Sequence, residues 1–512
     1  MDRIKPSTIA AVFKVALLAI VTAVLVWMIY VAVLASNWVI AGVLVLVLLG
    51  TNWVYFSKRA VASKFLFPGS VLLVIFVIVP IVYTAWMSVY NYKTGNEITK
   101  EDAITQLHQV GLVPDESATN YDQVLGTYSG QDALLLTDQA THQVFIGTKD
   151  GLTELPEGAY TADPQLKAIA ADGFTVDSPD QIAAASSWLS SFTVPVSDKQ
   201  FVKPQGTDMA SLMREKFIFS DNNSKITDDI SGIVYVDNGN GNFVASDDPA
   251  NVLYPGWRQF NPAQNYVGMF TDPKLSGPFI KVFIWTIAFA FITVIMMWAL
   301  GLTLAIAMDR KMKGRAFYRA ILILPYAMPS FMSILIWAGI FNRDYGALNN
   351  ILGGIEVDWL NDPWLARGVI LTVNLWLGFP YFYLISTGAL QALPTDIEEA
   401  AEIDGASGRQ IFWQIKLPLI FQILSPLLIS AFAFNFNNFN LVYLLTKGGP
   451  IDVLNGETAG ATDLLITYAY KTAFGSNEQN LGLACAISVI MFIIVGALSM
   501  WSLKRSRVLE EM

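Results

Sequence analysis

The chain has 512 residues, of which 54% are hydrophobic and only 14% charged, and its formal net charge is −10. Soluble domains usually carry roughly 25% charged residues, so this composition excludes an ordinary soluble protein. Apolar runs of about 20 residues, enough to cross a bilayer, recur along the chain. The sequence therefore predicts an all-α polytopic membrane protein that contacts a lipid bilayer. Nothing in its composition indicates a nucleic-acid partner.

Eight apolar segments are predicted to span the membrane, at residues 9–35, 37–57, 66–90, 278–308, 316–341, 367–391, 418–446 and 481–503. The first begins near Thr8 and is too long for a signal-peptide core, so it is predicted to be an uncleaved anchor. Lys and Arg cluster in the loops that this topology places inside, for example at Lys58, Arg310 and Lys504. Because such residues concentrate in cytoplasmic loops, both termini are predicted to be cytoplasmic.

The polar segment 91–277 carries about 25 acidic and about 11 basic side chains, which suggests a separate compartment. It contains two predicted hairpins, "GIVYVDNGNGNFVAS" and "ALLLTDQATHQVFIGT", and a helix in "DSPDQIAAASSWLSSF". Cys485, the single cysteine, lies elsewhere, so no disulfide stabilises this segment. We therefore expect an inserted α+β periplasmic domain.

The predicted domain organisation follows from these segments. Residues 1–65 form an N-terminal anchor of two transmembrane helices, and residues 66–90 form the third helix. Residues 91–277 are the soluble domain, and residues 278–507 are the membrane core with helices 4–8.

The spans contain no Asp, Glu, Lys, Arg or His in their middle portions, so the sequence shows no ionisable residues that would relay protons across the membrane. The chain also has no G-x-x-x-x-G-K-[ST] phosphate loop and no catalytic triad or metal-ligand pattern. We therefore expect no catalytic residue, no metal site and no cofactor in this polypeptide. If it transports a solute uphill, another chain must supply the energy.

A helix–turn–helix is predicted at residues 394–418, between spans six and seven. Thr395 and Glu398 fit a capping box at the start of the first helix. The pair Asp404-Gly405 is predicted to end the first helix, and Ser407 can cap the second helix. A plain solvated loop is the alternative interpretation.

The same segment has the spacing E-A-A-x3-G-x9-I-x-L-P, from Glu399 to Pro418, and four further stretches carry recognisable motifs. These stretches are "ILILPYAMPSF", "WLGFPY", "AFAFNFNNF" and "LLTKGGP". Together they resemble the binding-protein-dependent ABC importer permeases, and among these the larger permease subunits of maltose/maltodextrin importers. The resemblance is strong over about residues 278–507.

This resemblance implies an inner-membrane location and several partners. They are a second homologous permease subunit, two ATP-binding subunits that hold the ATP and Mg, and a periplasmic maltose-binding protein. It also implies that the loop helix docks on an ATP-binding subunit through Glu399, Ala400 and Ala401, with Gly405 permitting the turn.

The stretch "AFNFNNFN" places four Asn residues inside an apolar run. Asn both donates and accepts hydrogen bonds, and aromatic rings pack on the C–H faces of a sugar. A sugar-binding cavity lined by these Asn and Phe residues is therefore predicted. On one continuous helix, Asn435 and Asn438 share a face, as do Phe434 and Asn438. Interhelical hydrogen bonding is the alternative, especially for Asn437 and Asn440.

The resemblance implies the sugar-contacting positions of this chain, which are Leu377, Gly378, Tyr381, Phe434, Asn435 and Asn438. The chain has Ala431 where that family has Ser, so one hydroxyl contact is missing. Pro325 and Pro329 are predicted to kink span five, either as a hinge or as a static bend.

The sequence thus predicts the permease subunit of an ATP-driven maltose/maltodextrin importer. Another oligosaccharide is one alternative, and an ion-coupled sugar symporter is a second, although a symporter has no need of the loop motif. A receptor with an external sensor domain requires a cytoplasmic output module, and the tail "KRSRVLEEM" is too short for one.

Overall fold

The computed structural model describes residues 8–57, 61–117, 119–197, 199–309, 312–452, 458–475 and 479–505. The chain divides into two compact units, one ending at Met87 and the other beginning at Ser88.

The first unit is helical throughout its described residues. Its elements are α1 (Thr8–Leu34), α2 (Trp38–Phe56), α3 (Val61–Leu73), a π-helical turn (Val74–Ile78) and α4 (Val79–Met87). Lys14 of α1 donates to the carbonyl of Tyr55 near the end of α2, so the two helices are antiparallel. Most large apolar side chains of this unit are exposed, as expected of helices that face lipid.

The second unit opens with a β-rich insertion. Its first elements are β1 (Tyr90–Asn91), α5 (Lys100–Val110), β2 (Leu112–Pro114), β3 (Asn120–Tyr128), β4 (Gln131–Asp138), β5 (Val144–Thr148), β6 (Gly151–Glu154), β7 (Tyr160–Ala162), β8 (Ala168–Ala171), β9 (Phe174–Val176) and α6 (Pro179–Leu189). They are followed by β10 (Val194–Pro195), β11 (Gln200–Pro204), β12 (Met209–Glu215), β13 (Phe217–Ser220), β14 (Lys225–Asp228), β15 (Val234–Asp237), β16 (Phe243–Ala245), β17 (Val252–Leu253) and β18 (Gln259–Phe260).

Two antiparallel sheets form the body of the inserted domain. The larger has the order β10-β11-β12-β3-β4-β5-β6, with β2 added on β12 and β9 added on β3; the smaller is the meander β13-β14-β15-β16-β17. Both predicted hairpins are confirmed as β4–β5 and β15–β16, and the predicted helix is α6, which begins after Ser178.

Each sheet buries an apolar face against a helix or a hairpin. Leu134 and Leu136 of β4 pack with α6, whereas Ala133 and Leu135 on the opposite face pack with Ala168. A strand buried on both faces reads as a continuous apolar run, which explains the "ALLL" of β4. The smaller sheet packs on α5 around Trp257.

The helical core follows the insertion. Its elements are α7 (Gln264–Thr271), α8 (Pro273–Asp309), α9 (Arg315–Ala327), α10 (Ser330–Ile340), α11 (Ala347–Ile351), α12 (Pro363–Gln391), α13 (Thr395–Ile403), α14 (Gly408–Gln410), a π-helical segment (Ile411–Lys416), α15 (Leu417–Phe436), α16 (Phe439–Leu445), α17 (Leu465–Phe474) and α18 (Leu481–Arg505).

Among the described residues, six helices are long and apolar enough to cross a membrane, or seven if the bent pair α9–α10 forms one span. The eight predicted spans are therefore not confirmed. The predicted second span corresponds to a shorter apolar helix, and the predicted span 418–446 is interrupted after Phe436.

The predicted kink in span five is confirmed at Pro329. Helices α9 and α10 meet there at an angle of 91°. Pro329 lacks an N–H and precedes the first residue of α10, where a proline is tolerated. Pro325 lies within the last turn of α9, one turn earlier.

Two glycines lie where α8 packs against α12, Gly301 against the backbone of α12 and Gly378 against the flexible end of the Met297 side chain. A Cβ at Gly301 would lie 2.6 Å from the backbone N of Tyr383, and one at Gly378 would lie 2.3 Å from the Met297 sulfur. Small residues permit this approach of helix backbones within a membrane core.

We expect Gly301→Ala to lower the free energy of unfolding by about 1–3 kcal/mol, because the added methyl group overlaps the α12 backbone. The purified protein in detergent should therefore unfold at a lower temperature. Gly388→Ala is the matched control, since a Cβ there meets no atom within 4 Å. Thermal unfolding followed by tryptophan fluorescence measures both variants. Equal unfolding temperatures for the two would contradict the close contact.

Candidate functional site

The asparagine-rich stretch lies at a break between two helices. Helix α15 ends at Phe436, Asn437 adopts φ −108° and ψ 26°, and Asn438 is the N-cap of α16. Asn435 and Asn438 therefore do not share the face of one continuous helix, and that expectation was wrong. The amide oxygen of Asn438 instead accepts from the N–H of Leu441 at 3.4 Å, satisfying a donor that the break exposes.

Asn374 of α12 joins the two sides of the break. Its amide nitrogen donates to Asn435 Oδ1 at 2.8 Å, and its oxygen accepts from Asn438 Nδ2 at 3.3 Å. Asn435 also donates to the carbonyl of Ala431 at 2.8 Å. Asn374 was not predicted as a site residue, although a lone Asn inside an apolar span is itself a signal of an internal partner.

The six predicted sugar-contacting residues differ in exposure. Phe434 is 72% exposed and Asn435 only 3% exposed, whereas the others are half-buried. Tyr381 packs in one cluster with Ala431, and Leu377 packs in a neighbouring cluster around Val373 and Leu441. The structure thus places these residues along α12 and at the α15–α16 break, with Asn435 engaged in interhelical hydrogen bonds.

Asn437 and Asn440 are exposed rather than buried between helices. Asn437 donates to the carbonyl of Ala433 at 3.2 Å within its own helix. Their amides therefore lie at the surface of this chain.

The loop helix α13 ends in a tight, fully hydrogen-bonded turn. Gly405 has φ +80°, its N–H bonds the carbonyl of Glu402, and the N–H of Ala406 bonds the carbonyl of Ala401. This is a Schellman arrangement, which requires a residue in the left-handed region and explains the glycine. The predicted cap of the next helix is also present, since Ser407 and Gln410 form a capping box.

The predicted capping box of Thr395 and Glu398 is wrong. Pro394 occupies the N-cap position of α13 without a side-chain cap bond. Glu398 instead forms an ion pair with Lys416, with 2.6 Å between Oε1 and Nζ. This contact ties α13 to the segment that continues into α15.

The surface of this helix–turn–helix is exposed and partly apolar. Glu399 and Ala400 are exposed, Ile403 is 87% exposed and Trp413 is 58% exposed. Trp413 also lines a shallow depression of about 280 Å³, together with Ser407, Arg409, Gln410 and Gln414. Exposed apolar residues with a polar rim are typical of a protein–protein contact surface.

A buried carboxylate, Asp463, lies between α16 and α17 and forms an ion pair with Lys471 of α17. Asp463 is fully buried; Lys471 Nζ lies 2.7 Å from its Oδ2, and the N–H of Gly460 donates to the same oxygen. Burial raises the pKa of the Asp463 carboxyl, and Lys471 opposes this shift. Arg367 of α12 donates to the carbonyl of Ala461 at 2.9 Å, so this segment is held on α12 as well.

Comparison with known proteins identifies the family. A family model described as "Binding-protein-dependent transport system inner membrane component" matches residues 299–506, and one described as "N-terminal of TM subunit in PBP-dependent ABC transporters" matches residues 71–150. The maltose/maltodextrin transport system permease protein MalF of Vibrio vulnificus (strain YJ016) is 33% identical over 465 residues, which cover 88% of this chain and 86% of the relative. The chain belongs to the MalF family of maltose/maltodextrin permeases.

A second MalF relative, from Escherichia coli (strain K12), is 34% identical over 473 residues, covering 89% of each chain. Among solved structures, a bacterial alginate ABC transporter in complex with an alginate pentasaccharide-bound periplasmic protein has a TM-score of 0.41 and 19% identity, over 48% of this chain and 82% of that chain. Membership of the MalF family makes this chain a multi-pass inner-membrane permease subunit, and it is not itself an enzyme.

We expect Asn374→Leu to destabilise the protein by about 1–3 kcal/mol, because it leaves the buried oxygen of Asn435 without its donor. Thermal unfolding in detergent measures the effect. Asn361→Leu, at an exposed amide in the loop before α12, is the control and should leave the unfolding temperature unchanged.

The double variant Asn374→Leu/Asn435→Leu should recover part of the loss, because removing both partners of a buried hydrogen bond is nearly neutral. An unfolding temperature equal to wild type for Asn374→Leu alone would show that the network does not stabilise the break.

Proposed function

We propose that this chain is the larger permease subunit of an ATP-driven importer for maltose and maltodextrins. It forms half of the translocation path together with a second homologous permease subunit. Two ATP-binding subunits, which bind ATP and Mg, engage the loop 394–418 from the cytoplasm, where both termini also lie. A periplasmic maltose-binding protein delivers the sugar on the side of the inserted domain.

The observation that carries this proposal is the rigid, exposed loop. The Schellman turn at Gly405 and the Glu398–Lys416 ion pair hold α13 at a fixed angle to the next helix. From Gly408 the chain continues as one helical span to Phe436, which is next to the asparagine break. A push on α13 by an ATP-binding subunit would therefore reach the sugar path through a single helix.

The polar groups along the path suit a neutral sugar. At the break, Asn435 and Asn438 would exchange the hydrogen bonds that they make to Asn374 in this structure for bonds to sugar hydroxyls. Phe434 and Tyr381 supply ring faces. Sugar hydroxyls need neutral groups that both donate and accept, and the C–H faces of a sugar need aromatic rings. Leu377 and Gly378 complete the set of proposed contacts on α12, and Asn374 positions the two amides.

Glu399→Lys should reduce ATP-driven maltose uptake in vesicles by at least about tenfold, because like or unpaired charge at a docking surface costs several kcal/mol. The variant should unfold at the wild-type temperature, since Glu399 is exposed. Glu157→Lys, an exposed charge reversal in the inserted domain, is the matched control. Normal uptake by the Glu399→Lys complex would refute the role of the loop.

Phe434→Ala should lower maltose uptake about threefold, a loss that corresponds to about 0.6 kcal/mol, while the subunits still co-purify. The ring is 72% exposed, so its removal leaves no cavity in the core. Phe492→Ala on α18, at a ring that is 61% exposed, is the control. If both variants transport maltose equally well, Phe434 does not contact the sugar.

A further inference from the structure

Four aromatic rings form a continuous row on α16 and α17. Phe439 and Tyr443 stack with ring centroids 4.9 Å apart and planes 16° apart. Tyr470 contacts both rings, at 5.1 Å from Phe439 and 5.4 Å from Tyr443, and Phe474 follows at 5.4 Å from Tyr470. We define these four residues as the aromatic row. Tyr470 is 38% exposed and Phe474 is 59% exposed, so one side of the row is open.

The row begins at the asparagine break and ends near the base of the inserted domain. Phe439 directly follows Asn438, the N-cap of α16. At the other end, the N–H of Asn480 donates to the carbonyl of Thr472, two residues before Phe474. Asn480 forms a β-bridge with Lys93, which belongs to the segment that leads into the inserted domain.

The neighbouring polar groups argue against lipid as the occupant of this surface. The amides of Asn437 and Asn440 are exposed at the start of the row. The amide nitrogen of Asn437 bonds the carbonyl of Ala433, but hydrocarbon in contact with this surface would leave the oxygen of Asn437 and the amide of Asn440 without hydrogen-bond partners. A hydrated path, or a solute with hydroxyl groups, satisfies them.

The chemistry of the row matches a neutral oligosaccharide. Ring faces pack against sugar C–H groups, and the phenol groups of Tyr443 and Tyr470 and the exposed amides can bond sugar hydroxyls. The four residues of the row and the two exposed amides carry no charge. The spacing of about 5 Å between successive rings lets neighbouring sugar units contact more than one ring.

We propose that the aromatic row is an additional sugar subsite. It binds the further glucose units of an oligosaccharide whose leading unit occupies the asparagine break. This inference rests on the proposed function, because it assumes that a sugar passes the break. It adds a determinant of chain-length preference, which the six proposed contacts at the break do not provide.

Uptake of radiolabelled maltose and maltohexaose by the complete complex in vesicles tests the proposal. Phe474→Ala should reduce the ratio of maltohexaose to maltose uptake by about fivefold, because the long sugar loses a ring contact that the short sugar does not make. Tyr443→Leu should change the ratio in the same direction. Phe492→Ala, at an equally exposed ring on α18, should leave the ratio at its wild-type value.

Three results would overturn the proposal, and they are distinguishable. If the wild-type complex takes up both sugars and the ratio of maltohexaose to maltose uptake is unchanged in Phe474→Ala and Tyr443→Leu, the subsite is refuted but the proposed function is not. Loss of co-purification of the second permease in Phe474→Ala would show that the row is a subunit interface. A wild-type complex that takes up neither sugar would refute the proposed function and the subsite with it.

Discussion

Every amide inside an apolar helical core needs a hydrogen-bond partner, and this requirement governs the centre of the molecule. Stopping α15 at Phe436 frees backbone groups and places side-chain amides between helices of an apolar core. Asn438 caps the new helix start, and Asn374 bridges Asn435 and Asn438 from α12. The break is therefore stable because three asparagines satisfy one another.

The same break is connected to the loop 394–418 and to helix α8 through two long helices. A single helical span leads from Gly408 to Phe436. One end continues from the turn at Gly405 and the Glu398–Lys416 pair, and the other end is the break itself. Helix α12 is bound to α8 by close glycine contacts and to the break by Asn374. The loop is thus connected to the asparagine break through one helical span, and the break is connected to α8 through α12.

Local patterns predicted much of this structure, and they failed where tertiary contacts decide. The alternation of strand residues and the Asn-Gly turn correctly predicted both hairpins of the inserted domain. Pro329 correctly predicted the kink of span five. The face shared by Asn435 and Asn438 was wrong because helical periodicity cannot register a break of two residues. Glu398 was assigned to its own helix start, yet it pairs with Lys416, eighteen positions along the chain. Asn374 was missed because its partners lie about sixty residues away in sequence.

The positions of the ion pairs agree with the proposed path for an uncharged sugar. Glu398 and Lys416 lie in the loop, and Asp463 and Lys471 lie between or within the short helices, so each ion pair is kept away from the middle of a long span. A charge beside the break would bind counter-ions and water, and its desolvation would oppose the passage of an uncharged solute. Amides and rings impose no such penalty, since they exchange hydrogen bonds with a hydroxylated solute at nearly equal energy. In the proposed path, a neutral lining therefore favours a neutral cargo.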